Sequence, residues 1–323
     1  MRAAYVTEPG PPDAIRYGEL PLPATGPTDV LVRVRAVAVD PVDALVRSGA
    51  YRTPIPAPFV IGRDLVGEVA ATGPGAVGFT PGQAVWCNSL GHGGRQGSFA
   101  EYATVAADRL YPAPPDVDPE ELVAAAHPAA TAWLALFRHG RLRAGQTVYV
   151  GGAAGNVGSA AVALANAAGA RVVATARPDD FDRVRAWGAA DVYDYHGTDL
   201  PERLRTAAPD GYHVHLDTSG HGQPAVAVPL LAHGGRMVLM AGLHDIVGLP
   251  VGALYTRDAR IVGFAISNAT TADLATAATA VPHLLRTTTW RPRVTDRLPL
   301  SEAAHAHRLL ADASVRGRIV LRP

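Results

Sequence analysis

Three glycines, Gly152, Gly155 and Gly158, stand three residues apart in the stretch TVYVGGAAGNVG at 147–158. An apolar strand, a glycine-rich turn and a helix start follow one another there. The first glycine permits the tight turn, the second lets a pyrophosphate approach the backbone, and the third lets the helix pack on the strand. With Ala154, Asn156 and Val157 completing the loop, N–H groups at the helix N-terminus face an anion. That chemistry is dinucleotide binding. Cofactor choice is read at the end of the next strand, where an acid holds the ribose 2′-OH of NAD and an arginine accepts the 2′-phosphate of NADP. The chain reads RVVATARPDD there, with Thr175 and Ala176 in place of the acid and Arg177 next, which favours NADP(H). Asp179 and Asp180 are expected to cap the following helix.

Other reactive side chains carry less. His213 and His215, two apart on a strand, face one side and read as sheet packing. Cys87 reads as a small buried residue. The loop NSLGHGGRQGS at 88–98 offers His92 and Arg95 to a polar or anionic substrate, but reads more simply as an exposed loop.

The elements that must position these residues fall into two patterns. The first 120 or so residues are rich in Pro and Gly, with strands expected at 30–39, where Arg33 and Arg35 alternate with valines, and at 65–71 and 99–105. Residues 119–138 read as a long helix capped by Asp118, with a break or kink at His127–Pro128. Short apolar strands then alternate with helices. Strands are expected at 147–150, 171–174, 191–193, 213–216 and 236–240, and helices at 155–168, 179–187 and 200–206. This is the signature of βαβ units and a parallel sheet. The tail returns to mixed structure, with Ser301 expected to cap a helix to Ala311 and a last strand at 318–321.

Composition excludes several classes. The 323 residues are 48% hydrophobic and 18% charged, enough for a sizeable core in two domains or one large one. There is no lysine, and 29 arginines balance 29 acids. Zero net charge argues against a protein whose main task is gripping nucleic acid. A single cysteine excludes an intrachain disulfide and a multi-cysteine zinc lobe. The N-terminal stretch meets Glu8 and a run of prolines before any signal-like apolar run, and the most apolar stretch, 159–176, is interrupted by Asn166 and Arg171. The expectation is a cytoplasmic protein with no membrane segment.

Further motifs run in order along nearly the whole chain: DPVDALVRSGAY at 40–51, VIGRDLVGEVAATGPGAVGFTPGQAV at 60–85, GSFAEY at 97–102, TAWLAL at 131–136 and AHRLLADASVRGRIVL at 306–321. With the glycine loop, they resemble the medium-chain dehydrogenase/reductase superfamily, in its zinc-independent quinone oxidoreductase branch. The resemblance implies an α/β protein. Residues 1–120 and 262–323 would form a GroES-like, mostly-β catalytic domain, and 121–261 a Rossmann domain with a doubly wound parallel sheet. It implies a homodimer paired through an edge strand around 260–265. It implies that Asp40, Asp43 and Tyr51 line the catalytic cleft, Tyr51 as substrate hydrogen-bond donor or as packing and Asp43 as a loop anchor. Thr131 would meet the nicotinamide amide, Gly242, Phe264 and Ile266 would pass the nicotinamide, and Arg318 stands where a lysine reaches the cofactor.

Departures from the pattern are part of the reading. Zinc-dependent relatives hold the metal with cysteine, histidine and a further cysteine or acid. The corresponding positions are Asp40, Arg63 and His127, and a guanidinium cannot serve as a ligand, so no metal is expected. Asp40 replaces a usual asparagine, and Asn156 a usual glycine. The implied activity is hydride transfer from NADPH to a quinone or an α,β-unsaturated carbonyl, with the cofactor carrying the chemistry. One alternative is an enoyl reductase acting on an acyl-thioester or polyketide-type intermediate, for whose anionic tail Arg52 and Arg95 are the basic candidates. A second is a non-catalytic cofactor-binding or RNA-binding protein, against which the charge balance and the glycine loop count.

Overall fold

The structure is a computed structural model that describes every residue except Ala313. The chain divides into two compact units. The first comprises Met1–His127, Thr270–Pro282 and Arg291–Pro323, and the second Pro128–Ala269 and His283–Trp290. The sequence reading drew these divisions at 120/121 and 261/262, and as a single return.

The second unit is built on a six-stranded sheet in which every pairing is parallel. Its order is Asp191–Asp194, Arg171–Ala176, Thr147–Gly151, Tyr212–Asp217, Leu231–Leu239 and Arg260–Gly263. The chain starts at the centre, works out to one edge, then returns to the centre and works out to the other. In such doubly wound sheets a ligand crevice forms beyond the carboxyl ends of the two central strands, where the order reverses. Those strands are Thr147–Gly151 and Tyr212–Asp217, so the glycine loop leaves the sheet at the reversal. The strands are near-continuous apolar runs because both sheet faces are covered. The helix Asn156–Ala167 is buried from Gly158 to Ala165, which is why its sequence is apolar on all sides.

The first unit is mostly β. Strands Val294–Pro299, Arg318–Arg322, Asp29–Ala38, Leu65–Thr72, Ala84–Cys87 and Tyr111–Pro112 follow one another across a sheet, with Tyr102–Ala106 also paired to Asp29–Ala38. A smaller sheet joins Arg16–Glu19, Arg2–Val6 and Phe59–Val60. The alternation read in the sequence is real: Val30, Val32 and Val34 are buried, while Arg33 and Arg35 meet Glu68 on the outside at 2.6 and 2.8 Å. The last strand runs antiparallel to Asp29–Ala38, with Val320 opposite Ala38 and Leu321 opposite Val37. That register brings Arg318 to the segment that follows Ala38.

Three local expectations are corrected. The helix Pro119–Trp133 starts as expected, with Asp118 Oδ1 accepting from the Glu120 and Glu121 amides, but it is not broken at Pro128. It runs through the proline and widens into a π turn over Leu134–His139. Residues Leu122–Ala126 and Ala129–Ala132 are buried all round apart from the half-shielded helix ends, so packing outweighs the one backbone hydrogen bond that proline removes. Ser301 caps no helix, because Leu300–Glu302 forms a 3-10 turn and the helix begins at Ala303. Asp179 and Asp180 likewise lie in a 3-10 turn, and Asp180 accepts from Arg183 at 2.6 Å rather than capping Phe181–Ala186.

Candidate active site

The glycine loop is shaped by its neighbours. Gly152 has φ +69°, in the left-handed region, and a Cβ there would lie 2.9 Å from Thr218 Oγ1. A Cβ on Gly158 would meet Gly152 O at 2.3 Å and Ala153 Cα at 2.9 Å, so only glycine lets the helix start this close to the strand. Gly155 occupies the helix N-cap with extended backbone and is exposed. The first helical hydrogen bond runs from Ser159 N to Gly155 O, so the amides of Asn156, Val157 and Gly158 precede the intrahelical ladder. Ala154, Asn156 and Val157 are partly exposed beside them. The Thr218 hydroxyl donates to Gly151 O at 2.8 Å and pins the loop to the neighbouring strand.

At the end of Arg171–Ala176, Thr175 is buried and its hydroxyl is engaged with Tyr149 Oη at 2.9 Å. Arg177 is exposed and donates to Tyr195 Oη at 2.7 Å. Thr175 and Ala176 stand where an acid would be expected. A loop whose first and third glycines admit no side chain, with amides at a helix start, fits a nicotinamide dinucleotide. Elsewhere in this unit Thr131 is buried, Gly242 has φ +82°, Ile266 is buried, and Phe264 stacks on His139 with ring centroids 4.5 Å apart. His213 Nδ1 accepts from Thr147 N at 3.2 Å and His215 packs on Tyr149, so both histidines serve the sheet.

The first unit holds a buried cluster of charge. Asp40 and Asp43 bracket the start of the helix Pro41–Ser48, where Asp43 Oδ2 accepts from Asp40 N at 2.8 Å. Arg318, only 1% exposed, donates through Nη1 to Asp40 Oδ1 at 2.6 Å and to Val39 O at 3.1 Å. Its Nη2 lies 3.6 Å from Asp64 Oδ2, and His127 Nδ1 lies 3.5 Å from Asp64 Oδ1, ion pairs longer than hydrogen bonds. Ligand atoms of Asp40, Asp64 and His127 all fall within 4.8 Å of one another.

Burial opposes ionisation of Asp40, but the Arg318 guanidinium and then His127 outweigh it and hold its carboxyl below the usual range. Burial, then the Asp40 charge, pushes Asp43 up to about 7 and Asp64 well above the ordinary value. Burial also works against charge on His127, yet Asp40 and Asp64 raise it to about 9. The imidazole is therefore a cation at neutral pH.

Strand register turns the Arg318 guanidinium onto Asp40. Asp64, which the sequence motifs do not single out, follows Arg63 in the G-R-D triplet, faces His127 at 3.5 Å and shares Arg318 with Asp40. Tyr51 is half-buried against the core of the first unit, and its hydroxyl makes no hydrogen bond among the described residues. Arg95 is committed to Asp29 at 2.9 Å. Burial, then Arg109, Arg63 and Arg95, lower His92 to about 4, so it is neutral at pH 7. Cys87 is buried, and burial pushes its thiol well up, away from reactivity.

A doubly wound unit with a glycine loop, joined to a mostly-β unit, defines a nicotinamide-dependent oxidoreductase. Residues 26–115 match the alcohol dehydrogenase GroES-like domain, and residues 156–281 match the family described as zinc-binding dehydrogenase. The chain is similar to the quinone oxidoreductase of Rattus norvegicus, 30% identical over 325 residues, covering 99% of this chain and 97% of that one. Among solved structures, it is similar to an NAD-dependent alcohol dehydrogenase at TM-score 0.88 and 30% identity, and to a mycobacterial protein complexed with NADPH at TM-score 0.85 and 27% identity. Both structural matches cover 100% of each chain. The chain belongs to the medium-chain dehydrogenase/reductase family and is of the quinone oxidoreductase type. No helix among the described residues is long and apolar enough to cross a membrane.

Proposed function

We propose that this protein is an NADPH-dependent reductase of quinones or α,β-unsaturated carbonyls that works without zinc. The observation that carries the cofactor choice is Arg177, exposed at the end of its strand with buried Thr175 and Ala176 in place of an acid. Gly152, Ala154, Gly155, Asn156, Val157 and Gly158 would hold the pyrophosphate. Arg177 would hold the 2′-phosphate, and Thr131, Gly242, Phe264 and Ile266 the nicotinamide end. Bound NADPH would supply a hydride.

The remaining work belongs to the chain. Reduction of a conjugated carbonyl leaves an oxyanion that a nearby donor or a solvent proton relieves. Tyr51, whose hydroxyl has no hydrogen-bond partner among the described residues, is suited to that donation. Asp43 anchors the start of its helix, and Asp40 is tied to Arg318, so both position rather than react. Oxidation of a simple alcohol needs its hydroxyl proton removed as hydride leaves, which zinc relatives achieve by metal polarisation. Arg318 over the Asp40 and Asp64 carboxylates does not fit that chemistry. A thioester-selective site would want free cations for an anionic tail, and Arg95 is already paired. The protein would act as a homodimer on a small-molecule substrate.

Steady-state turnover tests the reading, with NADPH and NADH compared against quinones and enones, and NADP and NAD against primary and secondary alcohols. Quinone or enone reduction with NADPH is expected. Arg177→Ala should weaken NADPH by about tenfold or more and leave NADH almost unchanged. Robust alcohol oxidation with no quinone or enone reduction would overturn the reaction class. Equal loss for both cofactors would overturn the role of Arg177.

A further inference from the structure

Asp40, Asp64 and His127 meet the elementary requirements of a divalent-metal site. Two carboxylates and an imidazole are hard and borderline ligands that zinc accepts, and their ligand atoms converge within 4.8 Å. A metal entering this triad would nevertheless meet the Arg318 guanidinium. That group lies 2.6 Å from one carboxylate and 3.6 Å from the other, so it occupies the electrostatic role a metal would fill.

Arg318 has little freedom to leave. Its backbone amide donates to Arg293 O at 2.7 Å, its residue pairs with Val294 across the sheet, and its Nη1 is also held by Val39 O. A guanidinium stays protonated at any pH a protein survives, so it does not yield its place by losing a proton. Adding a dication beside it would set like charges together in a buried site, where they are poorly screened.

We infer that Arg318 is a built-in replacement for a metal cation, and that Asp40, Asp64 and His127 form a metal site held shut by an arginine. The inference concerns cation occupancy and stands apart from the choice of electron acceptor. It assigns metal independence to a specific side chain. Arg63, the arginine at the sequence position of a zinc ligand, is a lesser obstacle because Asp64 supplies the third ligand. Losing Arg318 should therefore open the site even with Arg63 in place.

The test is metal occupancy. Wild type and Arg318→Lys, which keeps a cation, should carry substoichiometric zinc after exposure to Zn²⁺ and gel filtration. Arg318→Met, which keeps an unbranched side chain without charge, should take up one zinc per chain. With Co²⁺ it should show the d–d absorption of a protein-bound ion, and adding Asp64→Asn should abolish both signals. Arg318→Met should also melt at a higher temperature with zinc than without. If it is recovered misfolded, refolding with Zn²⁺ should restore it. A folded Arg318→Met that binds no metal would overturn the inference. So would one that zinc neither stabilises nor refolds, or a wild-type protein with one zinc per chain that Asp64→Asn removes.

Discussion

A histidine enclosed in an apolar core makes folding sensitive to protons. His307 is fully buried, its ring nitrogens have no hydrogen-bond partners among the described residues, and it meets Phe99 edge-on at 6.1 Å. Burial, and then the Arg47 charge, lower its pKa to about 3. In the unfolded chain the same imidazole titrates near 6.5. Between those values the unfolded state binds a proton that the folded state refuses, so stability is present in full above about pH 6.5 and is lost as pH falls toward 3. The slope for one such group approaches about 1.4 kcal/mol per pH unit. His307→Leu should flatten the fall in Tm between pH 6.5 and 4, leaving the share carried by His215, which burial lowers to about 4. Calorimetric scans of both proteins across that range would decide it, and parallel acid limbs would reject the assignment. His127 is also buried, yet it lies beside two carboxylates and is held charged. Partners decide between the two outcomes, and burial alone does not.

The junction of the Thr147–Gly151 strand and its helix depends on the absence of one methyl group. Gly158→Ala would press a Cβ into Gly152 O and Ala153 Cα, backbone atoms that cannot rotate aside. The expected result is a loss of roughly 1–3 kcal/mol of stability and weaker NADPH binding, read by thermal melts and cofactor titration. Gly155→Ala, whose nearest obstacle is Gly152 O at 3.2 Å, should melt close to wild type. An equal penalty at both sites would show that the third glycine is not the tight one. This junction was legible in the sequence because strand, turn and helix are contiguous and each has its own spacing rule. So was the alternation of Val30–Val34 with Arg33 and Arg35. The continuous helix through Pro128 was not, since a local rule for proline says nothing of the buried alanines that hold the helix together. The Asp40–Arg318 pair lay still further out of reach. It joins residues 278 positions apart through a strand register that neither segment specifies alone, so the sequence points to Arg318 and Asp40 separately without showing that they pair, and it does not single out Asp64.

The second unit leaves an edge of its sheet and a patch of apolar surface uncovered in a single chain. Arg260–Gly263 ends the strand order, so one side of its backbone has no strand partner among the described residues. The stretch leading into it exposes Leu243, Ile246, Val247, Leu249, Val251 and Tyr255, with Ile246 99% and Tyr255 69% accessible. Edge strands with adjoining apolar surface invite pairing, and natural proteins either blunt them or cover them. A second copy of the chain offers the complementary edge. Equal numbers of acidic and basic residues leave no net repulsion to overcome. The expectation is a dimer joined across this edge with the patch beneath it. Ile246→Asp combined with Tyr255→Asp should move the sedimentation and light-scattering mass from two chains to one. Because both side chains are exposed in the single chain, the variant should keep its secondary structure by circular dichroism. A wild-type protein that is monomeric at micromolar concentration, or a dimer that both aspartates leave intact, would place the interface elsewhere.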